Sequence, residues 1–488
     1  MATALSTPAG NLRNQVVLGV AATLLLGLAA WFQPLAVGIG ALPLVIWLVI
    51  VYPATWIIVF MALSQYRLPD AFPFLLPLHL PLAFGAMALG ALVWHVMIAR
   101  GYKAVWRPEL VAMLVILALS IVGLPLAIDK PKTLTFIFDT FWKVVAVSIA
   151  LAWIIRREID FKRFTIATLA CGTLIGLVAL YNKAHGIDLV EGTRVTIARA
   201  LNSPLSDPND LALALMCPFS LGLAILAYRT TTSMKLLAVA TVTATLLGII
   251  ATQSRGGLLA VLAGIAVVGL NFIRSRNALL AIVGALAVLL FIAMGISGRQ
   301  SGGFEELSES GIDESSYLRT ILWQAAINMA LHRPFTGVGL AGFSSAFYFY
   351  TPVWVQKDLA PHSAWFGMLG EVGIPGLLAL LYMIGHAFLS IQHCRVELAK
   401  RQAPALMQAL ALGLKASLVT FCVAATFLSQ HASWPLYTIV ALGVALRIYV
   451  DSSAPSGEPV PEAVERTVRV GAAARHPGRS QPAARRQT

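Results

Sequence analysis

The sequence predicts an all-α, polytopic membrane protein of 12–14 transmembrane helices with one long, partly helical loop. Three observations predict it. The 488 residues are 58% hydrophobic and only 12% charged, with a mean hydropathy of +0.80, whereas soluble domains carry roughly 25% charged residues. So little polar side chain cannot cover a water-exposed globule, which excludes a soluble enzyme, a disordered chain and a disulfide-stapled secreted domain. The apolar residues also fall in runs near the ~20 needed to cross ~30 Å of hydrocarbon. Finally, the loops between those runs alternate in positive charge.

In order, the apolar runs are 16–32, 35–50, 53–63, 81–99, 110–128, 138–155 and 164–181. They continue at 209–228, 236–252, 256–273, 278–297, 363–392, 406–428 and 434–450. The second and third are short and contain Pro43 and Pro53, as a hairpin or a re-entrant piece would. The first run could pass for a signal peptide, but many spans follow, so it reads as a retained span. The tail is rich in Pro, Ala, Ser and Arg without apolar periodicity and is predicted to be disordered, its arginines near anionic lipid. The chain thus divides into an N-terminal segment 1–15, a first helix group 16–297, a large loop 298–362, the last helices 363–450 and a tail 451–488.

Charge sets the orientation. Arg100, Lys103 and Arg107, then Arg156, Arg157, Lys162 and Arg163, then Arg229, Lys235, Arg274, Arg276, Arg395, Lys400 and Arg401 fall in alternate loops. With Arg13, Arg447 and the tail, one side holds 22 of the 35 Lys and Arg residues, which predicts that both termini are cytoplasmic. That placement assigns the +13 net charge to membrane orientation rather than to nucleic acid. Cys171, Cys217 and Cys422 lie in apolar runs and Cys394 in a basic loop, without CxxC spacing, so neither disulfides nor a metal centre is indicated.

Positive charge on the far side opposes this bias and is therefore informative. Segment 182–208 carries Arg194, Arg199 and Asp207, and Asp207-Pro208 suits the start of a helix, with Asn209 next. Arg255 sits in a turn so short that its guanidinium must lie at the membrane boundary, beside Gly256 and Gly257. Either it snorkels to headgroups or it binds an anion. The long loop opens with an acidic piece, 305–314. Ser315 or Ser316 is then placed to cap a helix over 317–331, with Tyr317 and Arg319 in its first turn and Leu318, Leu322, Ala325 and Met329 as its apolar stripe. Such a helix lies along the membrane surface, as a bare interfacial helix or as the roof of a cavity. His362 opens the next span after Pro361, and His431, between the last two spans, is a weaker second candidate.

Arg199, Arg255, Arg319 and His362 each lie beside a span boundary on the same side. Arginines at a lipid–water boundary suit a lipid-linked diphosphate and the charge that develops as it leaves. A neutral histidine can take a proton from an attacking hydroxyl. No DxD, HExxH or Walker string is present, so no metal, nucleotide or other cofactor is called for.

These strings resemble the O-antigen ligase and polymerase superfamily of bacterial inner-membrane proteins. The matching residues are the Arg199 stretch leading into Asp207-Pro208-Asn209-Asp210-Leu211-Ala212, Thr252-Gln253-Ser254-Arg255-Gly256-Gly257, and Arg319 with Trp323 and Met329. Arg333-Pro334-Phe335-Thr336-Gly337-Val338-Gly339, Pro361-His362-Ser363 and Glu371-Val372-Gly373 complete the set. The resemblance implies an inverting, metal- and ATP-independent transfer of glycan from undecaprenyl diphosphate to a sugar hydroxyl of lipid A–core, at the periplasmic face. It implies that Arg199 and Arg255 bind the diphosphate, that Arg319 supports the donor or the loop, and that His362 is the base. Asp207, Asn209 and Tyr317 would support the site. Many members have glycine where this chain has Asn202, and the spacing to the Asp-Pro-Asn string is long, which leaves Arg194 or Arg199 as the first phosphate ligand.

The resemblance also covers an O-antigen polymerase and a protein O-oligosaccharyltransferase, which differ in acceptor. A small-solute, bicarbonate-like transporter is a remoter reading. It calls for paired broken helices around a midplane site, whereas the polar residues here gather at one face. Lys415 and the Asp139/Lys143 pair, inside spans, are the exceptions and read as structural ion pairs.

Overall fold

A computed structural model describes residues 34–201, 203–293, 314–353 and 360–453, with Thr23 and Gly27. The predicted first span at 16–32, the 1–15 segment, Asn202, the acidic piece up to 313 and the tail beyond 453 lie outside the described residues.

The chain is an all-α, multi-spanning membrane protein. Among the described residues, ten helices are long and apolar enough to cross a bilayer, or 11 counting one bent pair. We number the helices α1 Pro34–Val51, α2 Pro53–Gln65, α3 Leu80–Ile98, α4 Pro108–Leu126, α5 Lys130–Ile154 and α6 Glu158–His185. A hairpin, β1 Leu189–Val190 and β2 Arg194–Val195, separates α6 from α7 Pro208–Ala227. Next come α8 Thr232–Thr252, α9 Arg255–Gly269, α10 Arg276–Ala293, α11 Glu314–His332 and α12 Phe343–Tyr350. The last three are α13 Ala364–Lys400, α14 Ala405–Ala425 and α15 Trp434–Ser452.

The count falls below the expected 12–14 for stated reasons. The run at 16–32 is not described, and the two short proline-bearing runs form α1 and α2, bent by 99°. The run at 256–273 yields α9, only 15 residues long. Other boundaries move outward: α5 begins at Lys130, where Asp129 caps it, and α6 at Glu158, where the Arg157 backbone N–H and guanidinium donate to the Asp160 carboxylate. Helix α11 begins at Glu314, so Ser315 and Ser316 lie inside it rather than before it. Cys394 is not in a loop but buried inside α13. The hairpin was not anticipated; Gly186 (φ 69°) stops α6, and Glu191 and Gly192 take the positive φ (52° and 72°) of a tight turn.

Helix α7 stands at the centre, 78% of its apolar window buried, while α3 and α10 line the outside at 11%. Small residues let the central backbones approach, as membrane helix packing requires. A Cβ on Gly176 of α6 would lie 2.6 Å from the Ala244 carbonyl oxygen of α8, and one on Gly248 would lie 3.4 Å from the Gly176 Cα. Lys415 does not form the expected ion pair. It donates to Gln392 at 2.9 Å, with its ammonium 5.0 Å over the Phe388 ring. Among the described residues, Asp139 and Lys143 likewise form no side-chain hydrogen bond or ion pair.

Helix α13 breaks at Gly373 (φ 80°, ψ −172°), two residues before Pro375. A broken helix in a membrane needs protein partners for its freed backbone groups, and the loop after α11 supplies them. Ile374 N–H donates to the Pro334 carbonyl at 2.8 Å, Val338 to Gly370 at 2.9 Å and Gly339 to Glu371 at 3.0 Å. Gly337 (φ 60°) passes so close that a Cβ there would sit 2.5 Å from the Glu371 oxygen. Helix α11 thereby lies against α13, with Trp323 stacked on Phe366 at 5.0 Å. Leu322, Ala325 and Met329 of its expected stripe are buried in a satellite core with Phe343 and Phe347, and Leu318 is half-buried.

Candidate functional site

Two of the motifs meet through Arg194. The hairpin carries this buried guanidinium inward. Its Nε donates to the Thr252 carbonyl at 3.1 Å, its Nη2 to Asn209 Oδ1 at 3.0 Å, and its Nη1 lies 3.6 Å from Glu191 Oε1. Asn209 Oδ1 also accepts from Ser254 Oγ at 2.8 Å, and that oxygen caps α9 by accepting from Gly257 N–H at 3.1 Å. Arg194 therefore ties the starts of α7 and α9 together. Arg199 differs: it is exposed on the short turn Arg199–Leu201, and its Nη1 donates to the Leu189 carbonyl at 2.9 Å.

Arg255 is the first residue of α9 and is exposed. The following glycine faces Phe427, just past α14; a Cβ on Gly256 would lie 3.2 Å from the Phe427 Cβ. The Arg319 guanidinium of α11 sits 5.7 Å from the centre of the same ring. Phe427 thus connects the neighbourhood of Arg255 with Arg319.

His362 precedes α13 in a left-handed conformation (φ 43°) and is half-buried. Its pKa is lowered below 6.5, first by burial and further by the Arg319 charge, while the Asp207 carboxylate opposes the shift. The imidazole is therefore neutral at neutral pH and feels both the Asp207 carboxylate and the Arg319 guanidinium. Asp207 is held by its role as the cap of α7: its Oδ1 accepts from Asn209 N–H at 2.7 Å and Asp210 N–H at 3.3 Å. The Tyr317 ring does not join this group and packs instead on the satellite core.

Glu371, quoted only as part of a short string, is a buried polar hub. Its Oε2 pairs with His431 Nε2 at 3.0 Å and accepts from Ala341 N–H at 2.8 Å, while Oε1 accepts from Phe343 N–H at 3.4 Å. It joins α13, the loop before α12 and the α14–α15 connection. His431 is thus a partner of Glu371, and its ring also packs against Gly367. Beside them a cavity of about 200 Å³ is lined by Pro361, Glu371 and His431 among others. Gln430, which the sequence did not single out, bonds the Asp210 carboxyl. The signal for Glu371 was present: a lone acid in an apolar run is costly and demands partners.

Chemically, the face offers guanidinium groups for an anion and a neutral imidazole for a proton. Among the described residues, no three His, Cys, Asp or Glu side chains stand close enough to share a metal ion. A family model described as O-antigen ligase (Wzy_C) matches residues 239–381, so a domain of that family is present in the chain. The match contains Arg255, Arg319, His362 and Glu371, and leaves Arg194, Arg199, Asp207 and Asn209 outside it. No curated protein matches the chain.

Proposed function

From a multi-spanning chain that carries a Wzy_C domain, we propose an inverting, metal- and ATP-independent glycosyltransferase of the O-antigen ligase type. It works at the periplasmic face of the bacterial inner membrane. It moves a glycan from undecaprenyl diphosphate to a sugar hydroxyl of lipid A–core. The feature that supports this reading is His362, whose burial lowers its pKa so that the ring is neutral, within electrostatic reach of both Asp207 and Arg319. The neutral ring accepts the proton of the acceptor hydroxyl as its oxygen attacks the anomeric carbon from the side opposite the diphosphate. The Asp207 carboxylate stabilises the resulting imidazolium. The anomeric C–O bond breaks, and the departing diphosphate gains charge that Arg255, Arg319 and Arg199 neutralise. Donor and acceptor lie in one membrane, so the protein's main contribution is to bring them together in line.

The test is transfer in vitro with purified lipid-linked glycan and lipid A–core, with and without chelator. His362→Ala and Arg255→Ala should each lower the rate about 100-fold or more, with the protein still in the membrane, and chelator should change nothing. Wild-type rates in both variants would overturn the site. Replacing lipid A–core with a second lipid-linked glycan or a periplasmic protein tests the polymerase and protein-glycosylating alternatives.

A further inference from the structure

Outside the site, an apolar groove of about 650 Å³ lies between α13 and α14. That volume falls within the ~300–1,000 Å³ typical of ligand sites. Gly385, Phe388 and Leu389 line it on one side, and Val419, Cys422 and Thr426 on the other. We infer that this groove holds the polyprenyl chain of the lipid diphosphate donor. The inference rests on the donor chemistry proposed above and extends it to the lipid part.

Continuity with the arginines carries the argument. At one end, Thr426 accepts from Trp365 Nε1 at 3.2 Å. The next residue is Phe427, whose ring lies under Arg319 and against Gly256, the neighbour of Arg255. The apolar groove therefore includes the residue next to the ring that faces Arg319 and lies against Gly256, the neighbour of Arg255. At the other end Phe388 carries the Lys415 ammonium on its face, and Lys415 is held by Gln392. The groove thus runs from a cationic site at the membrane boundary to a polar stop within the span.

Gly385 supplies a second observation. Glycine in a helix interior is less favourable than alanine, and most glycines of this bundle have a packing reason. A Cβ on Gly413 of α14 would lie 2.7 Å from the Leu221 side chain. A Cβ on Gly385 meets nothing within 4 Å, as is also true of Gly90 and Gly284, but Gly385 lies in the groove wall. The space it leaves is the groove itself.

In a bilayer the groove gains little by exchanging one hydrocarbon chain for another, because lipid tails are as apolar as its walls. Selection comes from the tether. A chain whose diphosphate is already held by the arginines is present at high effective concentration beside the groove. Bulk phospholipid has no such attachment.

The test uses full-length protein in phospholipid vesicles and a polyprenyl diphosphate with a photoreactive diazirine on its chain. Labelling should concentrate on residues 384–389 and 418–426 and fall in Gly385→Trp, which fills the groove. The same variant should lower the kcat/KM preference for a long-chain over a two-isoprene glycosyl diphosphate donor about tenfold. Labelling spread over lipid-facing positions such as Leu280 and Leu289, unchanged in Gly385→Trp, would overturn the inference, as would an unaltered chain-length preference. Groove labelling by a wild-type protein that transfers no glycan would keep the groove and sink the proposed function.

Discussion

Arg194 and Arg199 lie five residues apart and the sequence offers both as phosphate ligands, yet their replacement should have opposite effects. Arg194→Ala removes two hydrogen bonds from a buried charged donor, to Thr252 and Asn209, and an ion pair with Glu191. Each charge-assisted bond is worth about 1.5–3 kcal/mol, and Glu191 is 39% exposed at its side chain, so that pair adds little. The expected loss is about 3–6 kcal/mol, and it also loosens the start of α9 through Asn209 and Ser254. Arg199→Ala removes one exposed hydrogen bond to Leu189, worth about 1 kcal/mol or less. The assay is thermal unfolding of detergent-solubilised protein beside donor kinetics. Arg194→Ala should melt several degrees lower. Arg199→Ala should melt as wild type and raise donor KM. The reasoning fails if Arg194→Ala melts as wild type while donor KM rises, or if both variants lose equal stability.

Three further outcomes follow from the same contacts. Transfer should be lost as pH falls through the lowered pKa of His362, below 6.5, because the base must be neutral; Asp207→Asn, which keeps a good helix cap, should move that acid limb to lower pH. Arg319→Gln should move it to higher pH, since the Arg319 charge now disfavours the imidazolium; pH–rate profiles of both variants check the signs. Gly337→Ala should free the loop from the α13 break, because the added Cβ would meet backbone at 2.5 Å and the left-handed φ costs a further ~1–2 kcal/mol; faster limited proteolysis between α11 and α12 is the measurement.

The fold was legible because bilayer chemistry writes it into composition. The thirteen apolar runs that fall within the described residues all reappear as helices, since in a bilayer each must satisfy its own backbone. The shortfall in span-length helices was less legible. Pro53 signalled a break after α1, but the 99° bend depends on how α2 packs. The hairpin was signalled by Gly186 and Gly192, but two-residue strands are set by contacts, here with Arg194, rather than by a pattern of their own.

The site was legible as residue types and obscure as roles, for a physical reason. A guanidinium at a membrane boundary is costly whether it binds an anion or braces two helices, so sequence flags Arg194, Arg199, Arg255 and Arg319 alike. The role depends on the acceptor it faces. For Arg194 those acceptors are 15 and 58 residues away, at Asn209 and Thr252. The same holds for Glu371, whose partner His431 is 60 residues on. Short strings that look like separate motifs are, in the folded chain, two sides of one contact. Asp207-Pro208-Asn209 meets Ser254-Arg255-Gly256 through one amide oxygen, and Gly337-Val338-Gly339 meets Glu371-Val372-Gly373 through paired backbone bonds. A residue within such a string that faces its partner string is bound to architecture. One that faces neither, as Arg199 does, is the better candidate for a ligand.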